Sequence, residues 1–168
     1  MDSAYNIDYK KLSEEGIKGL IFDIDNTLVP HGMPADAACI ALFEKIHGLG
    51  LKTVLVSNNK EPRVKPFADA ITSLYIFKAD KPMKKGYLKA MEMMDTTKDN
   101  TIFIGDQLFT DVYGARRCGI FSILTKPINP KEEIQIVLKR YLEKIVLYFY
   151  AKELKSRMKD REVEKNAD

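Results

Sequence analysis

Asp23 and Asp25 stand two residues apart at the end of the apolar run Gly19-Leu20-Ile21-Phe22, and the small polar pair Asn26-Thr27 follows. Carboxylates this close repel each other and lose hydration together, so they need a hard cation, a shared proton or a basic neighbour. One of the two can hold Mg²⁺ and attack as a nucleophile, while the other, turned by the loop, carries a proton. As long as the chain stays extended, a period of two puts residues 23 and 25 on one side. A strand ending in an Asp/Asn-rich turn accounts for the same residues without any chemistry. Three further polar groups also follow apolar runs: Ser57-Asn58 after 51–56, Lys81 after 74–77, and Asp106 with Asp111 after 101–104.

The elements that must position these groups are legible from periodicity. Short apolar runs bounded by turn signals read as buried strands at 19–22, 51–56, 74–77, 101–104 and 121–124. Between them, helical spacing covers 36–48, 62–70, 83–94 and 114–119, with Gly48 near one stop. Residues 1–16 read as a loop and short helix. The segment Pro30-His31-Gly32-Met33-Pro34 is a rigid loop over the mouth, in which His31 reads as a lid or solvent residue. Alternating strands and helices predict an α/β fold, a three-layer, doubly wound parallel sheet. In such sheets ligands bind beyond the carboxyl ends of the strands, where all four polar groups would converge. Any one of them is explained by a turn, but four in register are not.

The totals narrow the function classes. A chain of 168 residues with 45% hydrophobic and 30% charged residues suits one soluble catalytic domain, expected over residues 1–130. A net charge of +3 gives no reason to expect nucleic acid. Cys39 and Cys118 form no CxxC pair and read as reduced thiols of a cytoplasmic protein. The polar, acid-bearing start resembles neither a signal nor a transit peptide. Residues 131–168 read as a separate C-terminal unit, an amphipathic helix with a basic tail. From Lys139 to Lys165 it carries nine Lys/Arg against five Asp/Glu. Such a helix packs on the domain or a partner copy, or lies on anionic lipid.

With these residues in place, the chain resembles the haloacid dehalogenase (HAD) superfamily of phosphatases. The D-x-D-x-T motif stands as Asp23-Ile24-Asp25-Asn26-Thr27, the Ser/Thr motif as Ser57, and the lysine motif as Lys81-Pro82. The G-D-x-x-x-x-D motif runs from Gly105-Asp106 to Asp111. The resemblance implies Asp23 as nucleophile, forming an aspartyl-phosphate, and Asp25 as the acid and base. Lys81 would offset charge, and Ser57 with N–H groups near Asn58 would bind the phosphoryl oxygens. It implies Mg²⁺ as cofactor on Asp23, Asp25 (through its main-chain carbonyl) and Asp106, with Asp111 holding a metal-bound water or orienting Lys81. Because Asp25 is present, phosphoryl transfer is expected rather than dehalogenation.

About thirty residues separate Thr27 from Ser57 and about two dozen separate Ser57 from Lys81, which leaves no room for a cap domain. The strings Asp25-Asn26-Thr27-Leu28-Val29-Pro30, Ser57-Asn58-Asn59 and Gly105-Asp106-Gln107-Leu108-Phe109-Thr110-Asp111 resemble the capless subfamily IIIA, YqeG-type. That subgroup is related to mitochondrial phosphatidylglycerophosphate phosphatase. The substrate so implied is a phosphomonoester on a lipid headgroup, with peripheral contact to an anionic membrane and a homo-oligomer as a further option. A soluble sugar phosphate or nucleotide is the alternative substrate. A non-catalytic binding module with a vestigial site is the alternative of another class.

Overall fold

The central strand is apolar at every position because both of its faces are covered. In β1 (Gly19–Phe22), Leu20 and Phe22 enter one core while Ile21 enters another. The computed structural model describes residues 1–129 and Glu143; the expected C-terminal helix and basic tail lie outside the described residues. β2 (Lys52–Val56), β3 (Leu74–Ile76), β4 (Thr101–Gly105) and β5 (Phe121–Leu124) complete a parallel sheet in the order β3-β2-β1-β4-β5. β1 is central, with Phe22 level with Leu55 of β2 and Ile104 of β4.

The helices divide between the two faces. α1 (Tyr9–Glu14), α2 (Ala37–Gly48) and α3 (Glu61–Ala70) supply Tyr9, Phe43, Ile46, Val64 and Phe67 to the core with Leu20, Phe22 and Leu55. α4 (Lys84–Met94) and α5 (Tyr113–Arg117) supply Tyr87, Ala90, Met91, Met94 and Ala115 to the core with Ile21, Val54 and Phe103. The expected three-layer, doubly wound arrangement is the one observed. One helix fills each of the first two crossovers, so no cap domain stands there. Winding reverses at β1, between β2 and β4, and that reversal opens a crevice beyond the carboxyl ends of β1 and β4.

Two local differences from the sequence reading matter for the site. β3 ends at Ile76, one residue short of the expected 77, and Lys81 follows on the loop after it. The segment before α5 is a π-helical turn, Leu108–Val112, where the pattern had suggested a helix beginning at Gly114. Among the described residues no helix is long and apolar enough to cross a membrane.

Candidate active site

Asp23 follows the last residue of β1, and its N–H donates to the Ile104 carbonyl at 2.9 Å, so the backbone is still sheet-bonded there. The chain then turns at once. Leu28 N–H donates to the Ile24 carbonyl at 2.9 Å and Asn26 N–H to the Val29 carbonyl at 2.7 Å, with Asn26 at φ 61°. Extended geometry therefore stops between the two carboxylates, the condition for their sharing a side is not met, and Asp25 is turned by the loop. The Asp23 carboxylate meets Lys81 and the acidic groups after β4, and the Asp25 carboxylate meets Arg63 of α3.

Asp23 sits in a buried ion network. Lys81 Nζ lies 2.8 Å from Asp23 Oδ1 and 2.7 Å from Asp111 Oδ1. Ligand oxygens of Asp23, Asp106 and Asp111, all buried, lie within 4.8 Å of one another. Asp111 Oδ2 also accepts the Gln107 N–H at 3.0 Å, and Thr27 Oγ1 donates to Asp106 Oδ1 at 3.2 Å. The π-helical turn explains the aim of Asp111, since its extra residue swings position 111 back toward the sheet end; such turns recur at functional sites. Burial pushes the Asp23 carboxyl up to about 6, with Lys81 opposing and Asp111 adding to the rise. Burial alone would lower the Lys81 ammonium, but Asp111 and Asp23 outweigh it and raise it, so the lysine stays charged.

Three buried carboxylates face one buried ammonium, and the imbalance is two negative charges. An all-oxygen, doubly anionic set suits a hard divalent cation, so the residues fit Mg²⁺. Asp25 does not join this cluster with its side chain. Its Oδ1 accepts from Gly32 N–H at 2.8 Å and Arg63 Nη2 at 2.9 Å, and its Oδ2 accepts from Asn59 Nδ2 at 2.5 Å. A role for Asp25 toward a metal is thus left to its main chain.

The remaining expected residues are placed by the loops after β2 and β3. Ser57 N–H completes the sheet by donating to Ile76 O at 3.0 Å, and its Oγ accepts from Asn59 N–H at 3.2 Å. That bond leaves the hydroxyl hydrogen of Ser57 to donate. Asn58 brackets the Lys81 backbone: Oδ1 accepts Lys81 N–H at 2.7 Å and Nδ2 donates to Lys81 O at 3.2 Å. The Asn58 amide therefore positions the lysine, and only backbone near it is offered to a ligand. Lys78 N–H donates to Asn59 O and Ala79 N–H to Ser57 O, so the lysine loop is laid along the serine loop.

Similarity to known proteins agrees with this geometry. The description "haloacid dehalogenase-like hydrolase" matches residues 35–119. "Probable phosphatase YqeG" of Bacillus subtilis is 39% identical over 146 residues, covering 86% of this chain and 85% of that protein. This chain belongs to the haloacid dehalogenase-like hydrolases. "Phosphatidylglycerophosphate phosphatase 1, chloroplastic" of Chlamydomonas reinhardtii is 28% identical over 155 residues, but this chain spans only 55% of its length. In fold, the chain is similar to the cobalt-bound deoxy-D-mannose-octulosonate 8-phosphate phosphatase of Haemophilus influenzae. The TM-score is 0.54 at 19% identity, with 69% of this chain and 74% of that one covered.

The family match takes in Ser57, Lys81, Asp106 and Asp111 but begins beyond Asp23 and Asp25, whose pairing therefore rests on the local geometry. Arg63 escaped the sequence reading altogether. It lies on the first turn of α3 in Lys60-Glu61-Pro62-Arg63, where an exposed helix start is the ordinary expectation. No spacing rule connects it to Asp25, 38 residues earlier. Tyr87 lies in the core beneath α4, and its hydroxyl donates to the Thr110 carbonyl inside the π-helical turn.

Gly105 is required by closeness. A Cβ there would run into the Asp111 carboxylate. Gly105→Ala is expected to displace Asp111 from Lys81, costing about 1–3 kcal/mol as overpacking does. Urea unfolding and Mg²⁺ titration of the variant check this: an unchanged midpoint with unchanged Mg²⁺ affinity would contradict it.

Proposed function

We propose that this HAD-type phosphatase is a Mg²⁺-dependent phosphomonoesterase that works through an aspartyl-phosphate, with a lipid phosphate resembling phosphatidylglycerophosphate as its substrate. The observation that carries the chemical part is the division of labour between the two carboxylates. Asp23 is buried against Lys81 and Asp111, whereas Asp25 is turned away and held by Gly32, Asn59 and Arg63. Asp23, beside Lys81 and the carboxylates that would hold Mg²⁺, has the charge compensation that attack on an anionic ester needs, and Asp25, outside that cluster, is left for proton transfer.

In the first step an Asp23 carboxylate oxygen bonds to phosphorus as the bond from phosphorus to the leaving oxygen breaks. Asp25 gives that oxygen its proton. In the second, water attacks the same phosphorus, Asp25 takes the water's proton, and the bond to Asp23 breaks to free phosphate. The Ser57 hydroxyl and neighbouring backbone N–H groups orient the phosphoryl oxygens. Lys81, fixed by Asn58 and Asp111, keeps positive charge where the carboxylate and an anionic ester must meet. Mg²⁺ held by Asp23, Asp106 and Asp111 would neutralise charge on the transferring phosphoryl group.

Support for a lipid is of two kinds. The Chlamydomonas relative is named for phosphatidylglycerophosphate, and among the described residues one helix fills each of the first two crossovers, with no cap domain to enclose a small metabolite. Met33 and Met83, on the loops beside Asp25 and Lys81, keep 52% and 57% of their surface exposed, as suits contact with acyl chains. The deciding experiment measures phosphate release from phosphatidylglycerophosphate in mixed micelles beside a panel of soluble phosphomonoesters, with Mg²⁺ and with EDTA. Mg²⁺-dependent release favouring the lipid is expected. Release from soluble esters alone would retain the chemistry and sink the lipid assignment.

Stability should report the metal independently of turnover. The folded Asp23 carboxyl titrates at about 6 against 3.8 for its ordinary value, so between those values the folded state binds more protons. Its contribution to stability is then fully present below about pH 4 and lost as pH rises through about 6. Mg²⁺ binds the deprotonated carboxylate and should restore that loss. Thermal melts are expected to show a larger Mg²⁺-induced rise in Tm near pH 7.5 than near pH 5; equal rises would contradict a metal on Asp23.

A further inference from the structure

Arg63 is only partly used by the contacts that hold it. Its Nη2 donates to Asp25 Oδ1 at 2.9 Å and to the Met33 carbonyl at 2.7 Å, and the guanidinium carbon lies 5.2 Å from the centre of the Phe67 ring. These contacts fix the guanidinium plane through a single nitrogen. Nε is buried without an acceptor, and Nη1 has none among the described residues. A guanidinium is a planar fork suited to carboxylate and phosphate oxygens, and here the N–H groups of Nη1 and of buried Nε carry no acceptor among the described residues.

The two cations that touch the catalytic carboxylates lie on different sides of the reaction. Lys81 is enclosed by Asp23 and Asp111, on the nucleophile side. Arg63 lies against the carboxyl that protonates the leaving oxygen, so it stands where the leaving group extends, with 22% of its side chain exposed. We propose that Arg63 is a specificity-determining residue that receives a second anionic group carried by the leaving group. The favoured substrates are then phosphomonoesters with a phosphodiester or carboxylate a few bonds beyond the leaving oxygen. This inference rests on the phosphatase reading above, in particular on Asp25 as proton donor. The bond to Met33 couples the same guanidinium to the loop 30–34, which borders the leaving-group side.

The test crosses the second anion with the lipid. Phosphatidylglycerophosphate and phosphatidate form the lipid pair, and glycerophosphoglycerol phosphate and glycerol 3-phosphate the soluble pair. In each pair only the first compound carries a diester beyond the leaving oxygen. The second anion is expected to raise kcat/KM by about 10- to 100-fold in both pairs, as charge-assisted bonds do. Arg63→Met should bring both ratios near one, chiefly through KM, and Arg63→Lys should keep part of them. A merely structural arginine would lower all four rates alike and leave the ratios standing, which would overturn the proposal. A preference confined to the lipid pair and indifferent to Arg63 would overturn it too, and would assign selectivity to the membrane surface.

Absence of release from all four compounds would fail the phosphatase reading instead. Calorimetric titration of the Asp23→Asn protein with the two soluble compounds then judges Arg63 separately. Tighter binding of the diester, lost when Arg63→Met is added, sustains its role, and equal binding ends it.

Discussion

Asp23→Asn is expected to lower Mg²⁺-dependent phosphate release by about 10⁴-fold or more, to the level of buffer, because an amide cannot form the acyl phosphate. The fold should survive, since Lys81 keeps Asp111 at 2.7 Å and the variant removes one of the three crowded buried carboxylates. Circular dichroism and a melting curve would confirm that the blank is folded. Asp25→Asn should behave differently, and the difference identifies the acid. An alkyl leaving group needs its proton, so loss on glycerol 3-phosphate should reach about 10²–10⁴-fold, the usual scale of general acid catalysis. p-Nitrophenyl phosphate leaves without help and should lose far less in the first step. Equal losses on the two esters would remove Asp25 from the role of proton donor, and full activity of Asp23→Asn would remove the covalent step.

The second large effect is on stability. Lys81→Met leaves Asp23 and Asp111 facing each other in a buried site with no ammonium between them. Breaking one side of a buried ion pair costs about 3–5 kcal/mol, more than the pair itself contributes over a hydrophobic substitute. Urea unfolding in EDTA at neutral pH should show this loss, and saturating Mg²⁺ should recover a substantial part of it by supplying charge to the same oxygens. Phosphate release should stay low even where stability is regained, because the cation that meets the ester is still missing. A Lys81→Met protein as stable as the parent in EDTA would mean that the carboxylates relieve each other by sharing a proton.

The parts of this molecule visible in its sequence were those with a local cause. Apolar runs gave β1, β2 and β4 because their two faces are covered, the edge strands β3 and β5 showed as apolar runs although they keep exposed positions, and amphipathic spacing gave α2, α3 and α4. Asp23, Ser57, Lys81 and Asp106 could be found because each follows such a run by a few residues. The parts that stayed hidden depend on contacts between distant segments. Whether Asp25 shares a side with Asp23 is settled by where the turn begins, and the Leu28-to-Ile24 bond that begins it has no signature beyond small polar residues. Within the π-helical turn, the Thr110 carbonyl accepts from Tyr87 of α4, 23 residues away. Asn58 looked like a ligand for phosphate because it sits in the serine motif, but its amide is committed to the backbone of Lys81. Arg63 could be reached only from the folded chain.

The position of β1 bears on how the protein comes off the ribosome. The strand that leads into Asp23 is central, yet one of its two neighbours, β4, lies about eighty residues downstream. A nascent chain that has emerged only as far as Met94 can pair β1 with β2 but leaves the other side of Gly19–Phe22 as a bare, wholly apolar edge. Exposed edges of this kind recruit foreign strands, and chaperones act on such intermediates. Thr101–Gly105 closes that edge and, in the next residues, delivers Asp106 and Asp111 to Asp23. Protection against misassembly and acquisition of the catalytic centre therefore arrive in the same stretch of synthesis, and a fragment ending before β4 would have neither.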